Sequence, residues 1–142
     1  MLAKAERPLI LAGGGFARPE DRAALAALAE AQGIPVALTF KHQEVFDNAS
    51  PLYAGHLGFK APAPLWKVLA EADLILALGT RLGDVPTQGY RIPRAPDPEQ
   101  PLIHVWPDPA VLTRLYRPEL AVAAEAPAFA LALAELAGEA PD

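Results

Sequence analysis

A short apolar run, Pro8-Leu9-Ile10-Leu11-Ala12, breaks off into three consecutive glycines, Gly13-Gly14-Gly15. A continuous apolar stretch that ends in glycine reads as a strand buried on both faces and feeding a tight turn. Pro19-Glu20-Asp21-Arg22 comes next. Proline in a first helical turn with acids beside it opens a helix, and Gly33 after Gln32 closes it. Between them lie Leu25 and Leu28 among alanines, a small-residue face that can approach a sheet closely. Ile34 to Thr39 then reads as a second strand, with Pro35 at its start, where a missing N–H is tolerated. Strand, glycine turn, helix and strand within about 32 residues make a βαβ unit. Its two strands must be parallel and its crossover right-handed. A parallel sheet needs cover on both faces, so this unit places the chain in the α/β class.

The remaining pattern agrees. Residues 40–60 are polar and irregular, with Pro51, Gly55 and Gly58. Leu65, Val68, Leu69 and Ala72 fall at i, i+3, i+4 and i+7, a helix stripe. Asp73 to Gly79 holds a third buried strand, again closed by glycine. The connection containing Pro93, Pro96, Pro98 and Pro101 can be neither helix nor central strand. Leu102 to Trp106 is a fourth strand, and Asp108-Pro109 opens a short helix, Asp as N-cap and Pro at the first helical position. Leu120 to Ala123 is a fifth strand, and Phe129, Leu133 and Leu136 stripe a closing helix that ends near Gly138. A sixth short strand is expected around Thr87 to Ile92. The predicted fold is a Rossmann-like, doubly wound α/β domain over residues 1–142, with a mostly parallel five- or six-stranded sheet and helices on both faces.

Composition limits what such a domain does. At 142 residues, 52% hydrophobic and 20% charged, the chain suits one ordered domain. No apolar run approaches the ~20 residues of a membrane span, and the start lacks the apolar stretch of a signal peptide. A net charge of -5 argues against nucleic acid as a partner. The absence of Cys removes disulfides, thiolate metal sites and a thiol nucleophile. Cytoplasm is the default location. One Met and 16 Pro, with eight Arg against four Lys, suit a heat-tolerant protein.

In an open α/β sheet the binding crevice lies beyond the carboxyl ends of the strands. Four stretches converge there: Gly13-Gly14-Gly15, Gly55-His56-Leu57-Gly58, Gly79-Thr80-Arg81, and Trp106 to Asp108. The glycine turn offers backbone N–H groups to an anion, or serves only as the tight turn that helix-on-sheet packing requires. Arg81 either binds a ligand or pairs with Asp84. Trp106 is a core or interface aromatic or a stacking platform, and Asp108 an N-cap. The usual dinucleotide fingerprint fails twice: Gly13-Gly14-Gly15-Phe16-Ala17-Arg18 lacks the third glycine, and Thr39-Phe40 stands where an acid should end the second strand. Ser50 has no nucleophile-elbow context, no zinc-protease or phosphate-loop motif occurs, and His42, His56 and His104 have no metal spacing. No catalytic residue and no metal ligand is expected.

Read together, RPLILAGGG, LAEAQGIPVALT, PLYAGHLGF, ADLILALGTRLGD, PLIHVWPDP and YRPELAVAAEA resemble the central domain of thiamine-diphosphate-dependent enzymes, the acetolactate synthase, benzoylformate decarboxylase and pyruvate oxidase group. The resemblance runs from about Arg7 to Leu136. It implies a parent enzyme of three α/β domains that decarboxylates or carboligates 2-oxo acids, often as a homo-oligomer. Flanking pyrimidine- and diphosphate-binding domains would hold thiamine diphosphate and Mg²⁺. The middle domain holds FAD or an ADP moiety in some members and is structural in others. In a nucleotide-binding member, Gly13, Gly14, Gly15, Gly79, Thr80 and Arg81 would line the crevice, with Trp106 and Asp108 at its far side.

Two departures shape the expectation. The family often shows I-H-x-D-x-D-P at the fourth strand; here Trp106 stands at the first Asp position of Ile103-His104-Val105-Trp106-Pro107-Asp108-Pro109. Trp cannot accept a hydrogen bond from ribose or adenine. The family's G-D-G…N motif is also missing, because Gly83-Asp84 continues with Val85 and the chain's Asn48 lies upstream. The expectation is a middle domain cut from a larger enzyme, inactive alone and without a tightly held nucleotide. A free-standing FAD- or ADP-type module is the alternative.

Overall fold

A computed structural model describes residues 1–138. Six strands form one sheet: β1 (Pro8–Ala12), β2 (Val36–Thr39), β3 (Tyr53–Leu57), β4 (Leu74–Leu78), β5 (Leu102–Trp106) and β6 (Leu120–Ala123). Their order is β3-β2-β1-β4-β5-β6, and every neighbouring pair is parallel. This is the doubly wound arrangement, whose direction of winding reverses between β1 and β4. Four helices complete it: α1 (Pro19–Gln32), α2 (Ala63–Glu71), α3 (Pro109–Leu112) and α4 (Ala126–Gly138). Among the described residues no helix is long and apolar enough to cross a membrane.

The central strands are buried because both their faces are covered. All five residues of β4 and all four of β2 are buried. On one face Ile10, Leu76 and Val105 pack under Leu25 and Leu28 of α1 and Ala130 of α4. On the other, Leu9, Ile75 and Leu102 pack under Leu65 and Leu69 of α2 and under Leu82, Ile92 and Tyr116 from irregular chain. α1 ends at Gly33, whose φ of +65° is the left-handed closure read from the sequence.

The sixth strand lies elsewhere than expected. Residues 87–92 form turns, with φ of +54° at Gln88 and +60° at Tyr90, and only an isolated bridge joins Arg91 to Arg94. The Thr87 hydroxyl donates to Gly83 O at 2.7 Å, and the Tyr90 N–H donates to it at 2.9 Å, which fixes a turn rather than a strand. The true sixth strand is β3, inside the stretch read as irregular. It is an edge strand held by β2 alone, half-buried and with Gly55 at its middle, so its sequence carries no strong strand signal.

Candidate functional site

β1 and β4 deliver their two glycine turns to the switch point side by side. The Gly15 N–H donates to Gly79 O at 2.9 Å. A Cβ on Gly15 would lie 2.6 Å from Gly79 Cα, so the two backbones touch and neither position admits a side chain. Gly79 also has φ of +65°, a conformation that L side chains rarely adopt. Gly13 is buried below this contact, against Thr39 and Thr80.

A cleft of about 410 Å³ opens above the joint. Gly14 and Thr39 form one side, Gly79 and Thr80 the base, and Arg81 and Trp106 the other side. The Arg81 guanidinium sits 5.3 Å from the Trp106 ring centroid, a cation–π stack. Asp84 lines the same cleft, but among the described residues Arg81 forms no ion pair with it.

Thr80 is anchored from below. His104 Nε2–H donates to Thr80 O at 2.8 Å, while its Nδ1 is buried without a partner. Burial outweighs that hydrogen bond and holds the imidazole below its ordinary pKa of 6.5, so the ring is neutral. The Leu82 N–H donates to Thr80 Oγ1 at 3.2 Å and fixes the turn that carries Arg81.

The structure therefore brings Gly14, Gly79, Thr80, Arg81 and Trp106 into one cleft. Gly13 lies beneath it, and Gly15 faces a neighbouring hollow of about 600 Å³ beside Arg18, Asp21 and Glu125. Asp108 caps α3, accepting from the Ala110 N–H at 2.9 Å. Gly55 and Gly58 do not line the cleft. Gly55, with φ of +133°, lets Leu65 of α2 approach β3, where a Cβ would meet it at 3.1 Å. Thr39, Phe40, His42, Gly83, Val85 and Pro86 also line the cleft and were missed as candidates; the signal available was their place at or just past the end of a strand.

The fit to a dinucleotide can be tested on the glycine turn. The Gly13 N–H donates to Leu78 O at 3.3 Å, Phe16 to Gly13 O at 3.1 Å and Ala17 to Gly14 O at 3.1 Å. With Gly15 bonded to Gly79, Gly14 holds the turn's one N–H not engaged in this way. The first turn of α1 has Pro19, which has no N–H, and the acids Glu20 and Asp21. A pyrophosphate at this helix end would meet two carboxylates and an Arg18 guanidinium already paired with them, and Trp106 supplies no acceptor for ribose. These residues do not fit a dinucleotide held at the glycine turn. Among the described residues no three His, Asp or Glu groups gather as a metal site.

Comparison with known proteins gives this geometry its context. Residues 1–133 match the model of the thiamine pyrophosphate enzyme central domain. The sulfoacetaldehyde acetyltransferase of Rhodobacter capsulatus is 35% identical over 145 residues, covering 100% of this chain and 24% of its own length. That of Castellaniella defragrans is 42% identical over 83 residues, 58% of this chain and 14% of its own length. A probable acetolactate synthase large subunit of Methanocaldococcus jannaschii is 32% identical over 126 residues, 89% of this chain and 21% of its own length. The chain thus spans at most about a quarter of the length of these relatives. On fold, turn geometry and the match over residues 1–133, the chain belongs to the thiamine pyrophosphate enzymes, as a central domain of that family.

Proposed function

We propose that this chain is the middle domain of a thiamine-diphosphate-dependent decarboxylase or carboligase of 2-oxo acids, of the acetolactate synthase type. Its work is to hold the flanking pyrimidine- and diphosphate-binding domains in place while they bind thiamine diphosphate and Mg²⁺. The parent enzyme acts in the cytoplasm as a homo-oligomer. The match over residues 1–133 carries this reading. The engaged amides of the glycine turn support a scaffold role, with no tightly held FAD or ADP. The complete polypeptide carrying this chain is expected to release CO₂ from a 2-oxo acid only with thiamine diphosphate and Mg²⁺. The 142-residue chain should show neither turnover nor binding heat with that pair. Micromolar affinity of this chain for thiamine diphosphate overturns the reading.

One observation favours the alternative of an ADP- or FAD-type site. Arg81 lines the cleft with no carboxylate partner among the described residues, and the free Gly14 N–H lines the opposite side of the same cleft. If ADP binds there, Arg81→Ala weakens it by about 1.5–3 kcal/mol, the range for a hydrogen bond to a charged group. Titration calorimetry reads this directly, and unchanged affinity removes Arg81 from the site.

A further inference from the structure

The cleft at the switch point is furnished by side chains of its own protein. Leu78 of β4 pairs with Val105 of β5, and the Gly79 N–H donates to Val105 O at 3.2 Å, so the turn after β4 stands beside the end of β5. Thr80 is held by His104 and by the Leu82 N–H, which gives Arg81 a fixed place on that turn. Trp106 is fixed from the other side. It pairs with Ala123 of β6, and its carbonyl accepts from the Ala124 N–H at 3.2 Å. The Arg81 guanidinium, 5.3 Å from the ring centroid, therefore stacks on an indole carried by a paired strand and not by a loop. Across the cleft the His42 ring packs on Gly14, where a Cβ would meet its Cε1 at 3.0 Å.

Arg81 is the one permanent cation that lines the cleft, and a planar guanidinium is suited to stack on an aromatic ring. Indole is a fused five- and six-membered ring, the same outline as a purine. Half-buried Trp106 thus presents to Arg81 what a bicyclic ligand would present. A ligand ring gains that place only by displacing the indole, which breaks the cation–π stack and returns apolar ring area to water.

We propose that Trp106 is the specificity-determining residue of this cleft: its indole occupies the position of a fused bicyclic ring against Arg81, so the chain's own side chain excludes ligands of the purine class. The inference deepens the scaffold reading above and rests on it. It also explains how Arg81 stands in the cleft without a carboxylate partner, since the indole takes that partner's role.

Adenosine tests the proposal on the 142-residue chain, because it carries the fused ring and none of the phosphates that the glycine turn disfavours. In calorimetric titration Trp106→Ala should bind adenosine about tenfold more tightly than the native chain, the size of a ring-stacking contact. Arg81→Ala added to Trp106→Ala should return the affinity to the native level, because the freed guanidinium receives the ring. Trp106→Phe keeps an aromatic ring at the strand end and serves where Trp106→Ala does not fold; it should gain affinity by a smaller factor. Micromolar binding of adenosine by the native chain overturns the proposal. So does equal affinity of the native chain and a folded Trp106 variant, and so does a gain that survives Arg81→Ala. Micromolar binding of thiamine diphosphate by the native chain overturns the functional reading instead and leaves the Trp106 comparison standing.

Discussion

On one face of the sheet Leu25 and Leu28 of α1 meet Ala126 and Ala130 of α4, and the core there comes mostly from helix and strand side chains, joined by Ile34 and Phe46 from connecting chain. On the other face α2 covers only part of the strands, and Leu82, Ile92 and Tyr116 reach in from turns and loops. Irregular chain brings backbone groups that no ladder satisfies, so side chains must pair with them. Gln100 donates to Leu69 O at 3.1 Å, and the Tyr116 hydroxyl donates to Pro93 O at 2.8 Å. Gln88 accepts from the Ala61 N–H at 2.9 Å and donates to Gly58 O at 2.8 Å, tying two loops together. One face is held by area and shape, the other by area plus a set of named hydrogen bonds.

The largest expected effect separates the two by how far each can relax around a void. Leu28 is fully buried between long helices that cannot collapse inward. Leu28→Ala should cost about 4 kcal/mol, high in the range for buried leucine. Leu82 is equally buried but sits on a turn that can shift toward the sheet. Leu82→Ala should cost about 2 kcal/mol, the lower end of the same range. Urea denaturation of both variants reads the difference, and equal losses would mean that the loop face is as rigid as the helical one.

The same contrast decided what could be read from the sequence. Under the helices, apolar runs closed by glycine and the caps at Pro19 and Gly33 named β1, α1 and β2 within a residue or two. On the loop side, strand-forming Thr87, Tyr90 and Ile92 suggested a strand, yet local hydrogen bonds of the Thr87 hydroxyl hold them as turns. β3 escaped notice because its stability comes from pairing with β2 rather than from its own residues. At the cleft, Gly79, Thr80 and Arg81 were visible as the residues after a strand. The stack of Arg81 on Trp106 was not, since it joins positions far apart in sequence that only the β4–β5 pairing aligns.

A smaller effect tests whether the loop face depends on its hydrogen bonds. Tyr116→Phe keeps the ring and removes the donor to Pro93 O, and should cost about 1 kcal/mol at neutral pH. Burial pushes the Tyr116 phenol up to about 12 from its ordinary 10. A raised native pKa stabilises below the unfolded value, and that stability is lost as pH climbs from 10 through about 12. The native chain should therefore weaken across that window, and the Phe variant should weaken less. The buried residues of the helical face include no titratable side chain, and Tyr53 packs only at their margin.

The smallest effect lies at the acid end and concerns the support of the cleft. His104 shares the loop face with Leu102, two residues before it on β5. Its imidazole is held below 6.5 chiefly by burial. The unfolded chain therefore takes up a proton that the native chain refuses. Stability is complete above pH 6.5 and falls as pH drops from there toward the native pKa. His104→Gln retains an N–H donor for Thr80 O but cannot be protonated, so its stability should vary less with pH below 6.5. Some slope should persist, because burial lowers the pKa of His56 as well. Urea midpoints above and below that pH compare the two proteins. If both weaken in parallel, His104 is not the group that refuses the proton, and the neutral ring under Thr80 loses its place in the account of the loop face.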